Sequence, residues 1–98
     1  MGIFLIGYDL KGGTESEYED LIKAIKGLTN SYWHCLDSTW LIDHPGPASK
    51  IRDALKPHLE KPDDKKAGDK LLVATMAKGA AWTLSFPDDC QSWLKSHL

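Results

Sequence analysis

The chain has 98 residues, of which 42% are hydrophobic and 27% charged, as expected for one compact globular domain. Twelve Lys+Arg against fourteen Asp+Glu give a net charge of −2, which excludes a polybasic or strongly acidic disordered chain. Arg52 is the single arginine. The guanidinium group of arginine forms paired hydrogen bonds with phosphates and with the edges of guanine bases. A composition with one arginine therefore disfavours sequence-specific DNA recognition.

The first third of the chain predicts a strand followed by a helix. Residues 3–10 are nearly continuously apolar, which is typical of a strand buried on both faces, and the glycines of residues 11–13 end it. Thr14 and Ser16 each precede a glutamate by three positions, the pattern of a capping box. Apolar residues then recur at helical spacing, so we expect the helix to end near residues 28–30.

The middle of the chain is rich in aromatic and β-branched residues. Residues 32–43 are too many for one ordinary strand, so they predict two strands, 31–36 and 39–43. Asp37 and Ser38 lie between them and predict a tight turn or bulge.

The remaining elements follow from prolines and periodicity. Pro47 suits the first turn of a helix, which should kink or end close to Pro57. Residues 60–70 are the most polar stretch and predict a solvated loop before a strand at 71–77. A turn at residues 78–79, a further strand at 81–86 and a short C-terminal helix complete the prediction.

This order of elements predicts an α+β fold, a ferredoxin-like βαββαβ arrangement with a C-terminal strand or hairpin and a short helix. We expect one domain over residues 1–98, with its core at about 3–77 and the extension at about 78–98. The helices should cover one face of the sheet and leave the other free for a partner. Trp33, Trp40 and Trp82 lie on predicted strands, and some of them are expected on that open face. A homodimer is the simplest interpretation.

The cysteines and the hydropathy of the chain indicate the cellular compartment of the protein. Cys35 and Cys90 lack metal-ligand spacing, and the apolar run at residues 3–6 is too short for a signal peptide or a membrane span. We therefore expect two reduced thiols, no membrane segment and a cytoplasmic protein.

Asp9 is the first candidate for chemistry. It ends an apolar strand, where polar side chains can gather at the edge of a sheet. A carboxylate there suits Mg²⁺, which takes one or two carboxylates together with water and phosphate oxygens. In a dimer, two copies of Asp9 could share one ion. The alternative is a structural aspartate whose carboxylate accepts from the amides of residues 11–13.

Asp37 and Ser38 form the second candidate cluster. If their two strands pair beside the first strand, this cluster approaches Asp9 and suits metal-assisted phosphodiester hydrolysis, with Asp37 and Ser38 supporting Asp9 as the metal ligand. The alternative is ordinary turn chemistry, for which Asp and Ser are common residues.

The opening FLIGYDL and the later HCLDSTWLID resemble two related families. One is the small CRISPR-associated ferredoxin-fold subunit of the spacer-integration complex, and the other is the virulence-associated protein D endoribonuclease toxins. Tyr8 and Asp9 match the end of the family's first strand, and Ser38 matches the serine between its second and third strands. The resemblance covers about residues 3–77. It implies a homodimer and a metal-dependent endonuclease, in which Asp9 binds the metal ion.

Two classes of function therefore remain open. The resemblance favours a Mg²⁺-dependent endonuclease of toxin or CRISPR-associated type that cleaves RNA or DNA. The net charge and the acidic segment at residues 11–17 would repel nucleic acid, and they favour a non-catalytic dimeric module. Such a module would bind a second copy or another protein through an aromatic sheet face. A small-ligand binder is a third possibility for which the sequence offers no motif.

Overall fold

The structure is a computed structural model that describes residues 2–98, and it shows an α+β protein with a four-stranded antiparallel sheet. The elements in chain order are β1 (Gly2–Asp9), α1 (Glu15–Lys26), β2 (Tyr32–Leu36), β3 (Thr39–His44), α2 (Ala48–Leu55), a 3-10 turn (Lys56–His58), β4 (Lys70–Met76) and α3 (Asp88–His97).

The strands lie in the order β2-β3-β1-β4, so β1 is central and pairs with β3 on one side and β4 on the other. Gly7 lies opposite Thr39 of β3 and Leu72 of β4. Because side chains alternate along a strand, these three residues share one face of the sheet, and Ile6 and Tyr8 point to the other.

We call the face of Ile6 and Tyr8 the α1–α2 face, because both helices pack on it. Its core includes Ile6 and Tyr8 of β1 and Trp40 of β3. Trp40 is fully buried, and its indole Nε1 donates to the hydroxyl oxygen of Tyr8 at 3.1 Å. The expectation that Trp40 could lie on an open face is therefore wrong.

Local signals for the start of α1 and the end of α2 agree with the structure, whereas α1 ends at Lys26, before the predicted residues 28–30. Thr14 is the N-cap of α1, and its hydroxyl oxygen accepts from the backbone N–H of Glu17 at 3.3 Å. The helix that begins after Pro47 ends at Leu55, and Pro57 lies in the 3-10 turn that follows. Within residues 2–98, no helix is both long enough and apolar enough to cross a membrane.

The second face, which we call the α3 face, carries the C-terminal part of the chain. Trp33 and Leu41 of this face are buried beneath Leu94 of α3 and its neighbours. The indole Nε1 of Trp33 donates to the carbonyl oxygen of Cys90 at 3.1 Å in the buried interior. The face that was expected to be free is thus partly covered by the chain's own extension.

Two expectations about this extension are wrong. Residues 81–86 form no strand, because their aromatic side chains Trp82 and Phe86 pack on the α3 face instead of extending the sheet. Cys35 and Cys90 are not free thiols but form a disulfide between β2 and α3. Cys35 lies two residues after Trp33 and so shares its face, which points toward α3. The sheet register shifts between Trp33 and Leu36, and this irregularity puts Leu36 on the α3 face as well.

Candidate functional site

Asp9 is the last residue of β1 and is exposed. It shares the α3 face with Gly7 and lies directly opposite Lys70 of β4 in the antiparallel register. The backbone N–H of Lys11, one of the amides expected to bond Asp9, donates instead to the Oδ1 of Asp69 at 2.8 Å. The carboxylate of Asp9 thus has an opposite charge as its cross-strand neighbour.

Asp37 and Ser38 form the turn between β2 and β3. The carbonyl oxygen of Ser38 accepts from the backbone N–H of Tyr8 at 3.2 Å, so this turn lies beside the end of β1. The carbonyl oxygen of Asp37 accepts from the Nε2 of His34 at 3.0 Å. The structure therefore brings Asp9, Asp37 and Ser38 to the same end of the sheet, as the sequence predicted.

Few side chains at this end of the sheet are of the types that coordinate metal ions. In the part of the chain that the structure describes, no three His, Cys, Asp or Glu side chains are grouped so that they could hold one ion. Mg²⁺ can bind through one or two carboxylates when water and substrate oxygens complete its octahedron. A magnesium ion on Asp9 would thus take most of its ligands from water and substrate oxygens.

The arginine that could accompany a phosphate site lies elsewhere. Arg52, the single arginine, is on α2, which packs on the opposite face of the sheet from Asp9. Its guanidinium is paired with the carboxylate of Asp53 at 2.9 Å. The basic residue that the sheet register places beside Asp9 is Lys70.

Asp69 is a structural residue that sequence reasoning missed. It is buried, and its two carboxylate oxygens accept from the backbone N–H groups of Lys11 and Glu60, each at 2.8 Å. It thus fixes the loop after Asp9 against the loop before β4. The only signal for it in the sequence was an aspartate next to a predicted strand.

The α3 face remains uncovered at the end nearest Asp9. The side chains of Leu72 and Leu36 are 63% and 49% exposed there. Gly7 lies between their strands, and a Cβ built on it would meet nothing closer than the Cδ2 of Leu5 at 3.8 Å. We call this surface the Gly7 patch; it consists of Gly7, Leu36, Thr39 and Leu72, with Asp9 and Lys70 at its end.

An apolar groove adjoins the Gly7 patch. It has a volume of about 350 Å³ and lies between the sheet and the segment that follows β4. Its walls are apolar and come from the sheet on one side and the C-terminal extension on the other: Leu5, Leu41, Met76, Trp82, Phe86 and Leu98. The sequence predicted an aromatic open face, but the exposed part of this face is mainly aliphatic.

On the other side of the sheet, burial raises the pKa of the Tyr8 hydroxyl. The hydrogen bond from Trp40 opposes this effect, and the neighbouring Tyr18 adds to it. A neutral Tyr8 in a dry core is a structural group and faces away from the Gly7 patch, so it takes no part in the candidate site.

Comparison of the chain with protein-family models, with characterised proteins and with solved structures finds no match.

Proposed function

We propose that this protein is a homodimeric interaction module whose dimer interface is the Gly7 patch. The observation that carries the proposal is the pair of exposed leucines, Leu36 and Leu72, on either side of a glycine on the α3 face of the sheet. Contiguous apolar surface of this kind marks an interaction site, because leaving it in water is unfavourable. The chain's own extension covers only the other end of the same face.

The charges at the end of the patch favour a second copy as the partner. Asp9 of the central strand β1 and Lys70 of the edge strand β4 lie side by side on this face. A two-fold axis brings a residue i of one copy to a residue j of the other, and j to i. A patch that carries one acid and one base is therefore complementary to itself, and Asp9 of each copy would face Lys70 of the other.

The first experiment measures the mass of the protein in solution by light scattering at micromolar concentration. We expect a dimer, and we expect Leu72→Asp to be monomeric, because the change buries a charge in an apolar interface. Thr75→Asp is the matched control, since Thr75 is exposed on the same strand and faces the opposite side. A monomeric wild-type protein would contradict the proposal.

The second experiment separates contacts between copies from contacts within one chain. Asp9→Lys and Lys70→Asp should each weaken the homodimer, because like charges then meet across the interface. When the two variants are mixed, each altered residue faces an opposite charge in the heterodimer. We expect the mixture to form heterodimers preferentially. A heterodimer that associates no more tightly than the two variant homodimers would contradict the proposed pairing.

We also propose that the fold is ferredoxin-like. The support is the strand order, in which α1 links two strands separated by one other, and α2 does the same. The cytoplasmic location stays a prediction, because the disulfide removes the argument from reduced thiols.

A Mg²⁺-dependent endonuclease is the second candidate. Asp9 lies on the same face as the Gly7 patch, next to the turn of Asp37 and Ser38, so a dimer through that face could bring two Asp9 carboxylates to one ion. We expect Mg²⁺ to strengthen this dimer and Asp9→Asn to abolish cleavage of RNA or DNA. Asp53→Asn is the control on the opposite face. Cleavage that survives in Asp9→Asn would remove Asp9 from the mechanism.

A further inference from the structure

Leu84 is the most exposed large hydrophobic side chain of residues 2–98, at 85% exposure. It lies in the segment between β4 and α3, at a turn formed with Ser85. Its neighbours Trp82 and Phe86 line the apolar groove, whereas Leu84 itself does not. The segment therefore turns two aromatic side chains inward and one leucine outward.

The turn that carries Leu84 is held in place by side chains. The amide nitrogen of Gln91 donates to the carbonyl oxygen of Phe86 at 2.8 Å and to that of Leu84 at 3.4 Å. The hydroxyl groups of Thr83 and Ser85 are hydrogen-bonded at 2.8 Å. Because the turn is already ordered, docking Leu84 on a partner would cost little further conformational entropy.

We propose that Leu84 of each copy inserts into the apolar groove of the other copy and anchors the dimer. This inference rests on the proposed homodimer and names its central contact. The groove of about 350 Å³ is large enough for a leucine side chain, since a dry cavity of roughly 150 Å³ already accepts benzene. The same chain thus presents an exposed apolar anchor and an apolar groove with no side chain of matching size in it.

The position of the groove supports a second copy as its occupant. Leu36 and Thr39 belong both to the Gly7 patch and to the wall of the groove, so the two surfaces are continuous. A partner seated on the patch would therefore reach the mouth of the groove. Reciprocal insertion at two equivalent places closes the assembly as a dimer, whereas insertion in one direction only would produce open chains of copies.

The test compares dissociation constants measured by sedimentation for Leu84→Asp and Leu84→Ala with that of the wild-type protein. Burial of two leucines contributes enough that we expect each variant to weaken the dimer by about 100-fold or more. Thr75→Asp is the control, because Thr75 is exposed on the opposite face of the sheet, and we expect it to leave the constant unchanged. Circular dichroism confirms that each variant is folded.

A second measurement locates Leu84 directly. In a mixed dimer of one ¹³C-labelled and one unlabelled copy, we expect intermolecular nuclear Overhauser effects between the Leu84 methyl groups and the rings of Trp82 and Phe86. If the wild type is a dimer that Leu72→Asp dissociates but Leu84→Asp does not weaken, the anchor is overturned and the dimer interface stands. Open chains of copies, absence of those Overhauser effects, or a small apolar molecule bound in the groove would also overturn it. A monomeric wild type overturns both proposals.

Discussion

Cys35 on β2 and Cys90 on α3 are 55 positions apart in the chain and are joined by a disulfide. The bond fastens the C-terminal helix to the edge strand of the sheet, over the α3 face. Next to it, the indole of Trp33 donates to the carbonyl oxygen of Cys90, and Leu94 is buried in the same cluster. The covered part of the α3 face is therefore held by both a covalent bond and apolar packing.

Reduction of this disulfide should destabilise the protein without unfolding it. Closing a loop of this length restricts the unfolded chain, and we expect dithiothreitol to lower the free energy of unfolding by about 2–4 kcal/mol. Urea denaturation with and without dithiothreitol measures the change. The double variant Cys35→Ser and Cys90→Ser is the control, because its stability should not respond to the reductant. Two reactive thiols in the untreated native protein would contradict the prediction.

Replacement of Asp69 by asparagine should loosen the two loops that its carboxylate joins. Each carboxylate oxygen accepts one backbone N–H, from Lys11 or Glu60, whereas the asparagine amide has a single acceptor oxygen. One partly buried N–H then loses its partner, and we expect a loss of about 1–2 kcal/mol in urea denaturation.

Asp63→Asn is the control for that change. Asp63 pairs with Lys56 on the surface and is 84% exposed, so its replacement should have little effect on stability. Equal stabilities of the Asp63 and Asp69 variants would show that the carboxylate of Asp69 does not join the loops.

The raised pKa of Tyr8 predicts a loss of stability at alkaline pH. Tyr8 ionises near pH 10 when the chain is unfolded and at a higher pH when it is buried. Its contribution is fully present below pH 10 and is lost as the pH rises through the pKa of the folded state, because deprotonation then favours the unfolded chain.

The test compares the free energy of unfolding at pH 8 and pH 11. We expect Tyr8→Phe to lose less stability over this interval than the wild-type protein. Tyr32→Phe is the control, since Tyr32 is an exposed residue of β2. If the wild type and Tyr8→Phe lose the same stability, burial does not shift the ionisation of Tyr8.

Gly46 has a position that only glycine fits well. Its φ of +72° is rare for other residues, and an added Cβ would lie 2.6 Å from the Cζ of Phe4 in the core. We expect Gly46→Ala to cost about 1–3 kcal/mol in thermal or urea unfolding. Gly2→Ala is the control, because its Cβ would meet Phe4 only at an ordinary contact distance of 3.8 Å. A Gly46 variant as stable as the wild type would contradict this account.

Several elements could be predicted because their signals are local. Thr14 caps α1 through an N–H only three residues away, and Pro57 ends α2 because its ring has no N–H to donate. The turn at Asp37 and Ser38 likewise follows from the residues that form it. The pairing of β3 with β1 then places these two residues beside the end of β1.

The failed prediction at residues 81–86 has a physical cause. Alternation of side chains indicates which residues can share a face, but a strand also needs hydrogen bonds to a neighbouring strand. Trp82 and Phe86 bury their rings against the α3 face, so this segment packs across the sheet. Periodicity alone cannot distinguish these two ways of burying alternate residues.

The sequence by itself predicted four strands and three helices in their order along the chain, the N-cap of α1 and the turn of Asp37 and Ser38, together with a strand at residues 81–86 that does not form. Only the tertiary structure decided that Cys35 meets Cys90, that Trp40 is buried beneath the helices, and that the α3 face stays open around Gly7. Helix caps, turns and periodicity depend on residues a few positions apart, so they can be predicted from the local sequence. Disulfide pairing and the covering of a face depend on which distant segments compete for the same apolar surface, and that competition is settled only when the whole chain has packed.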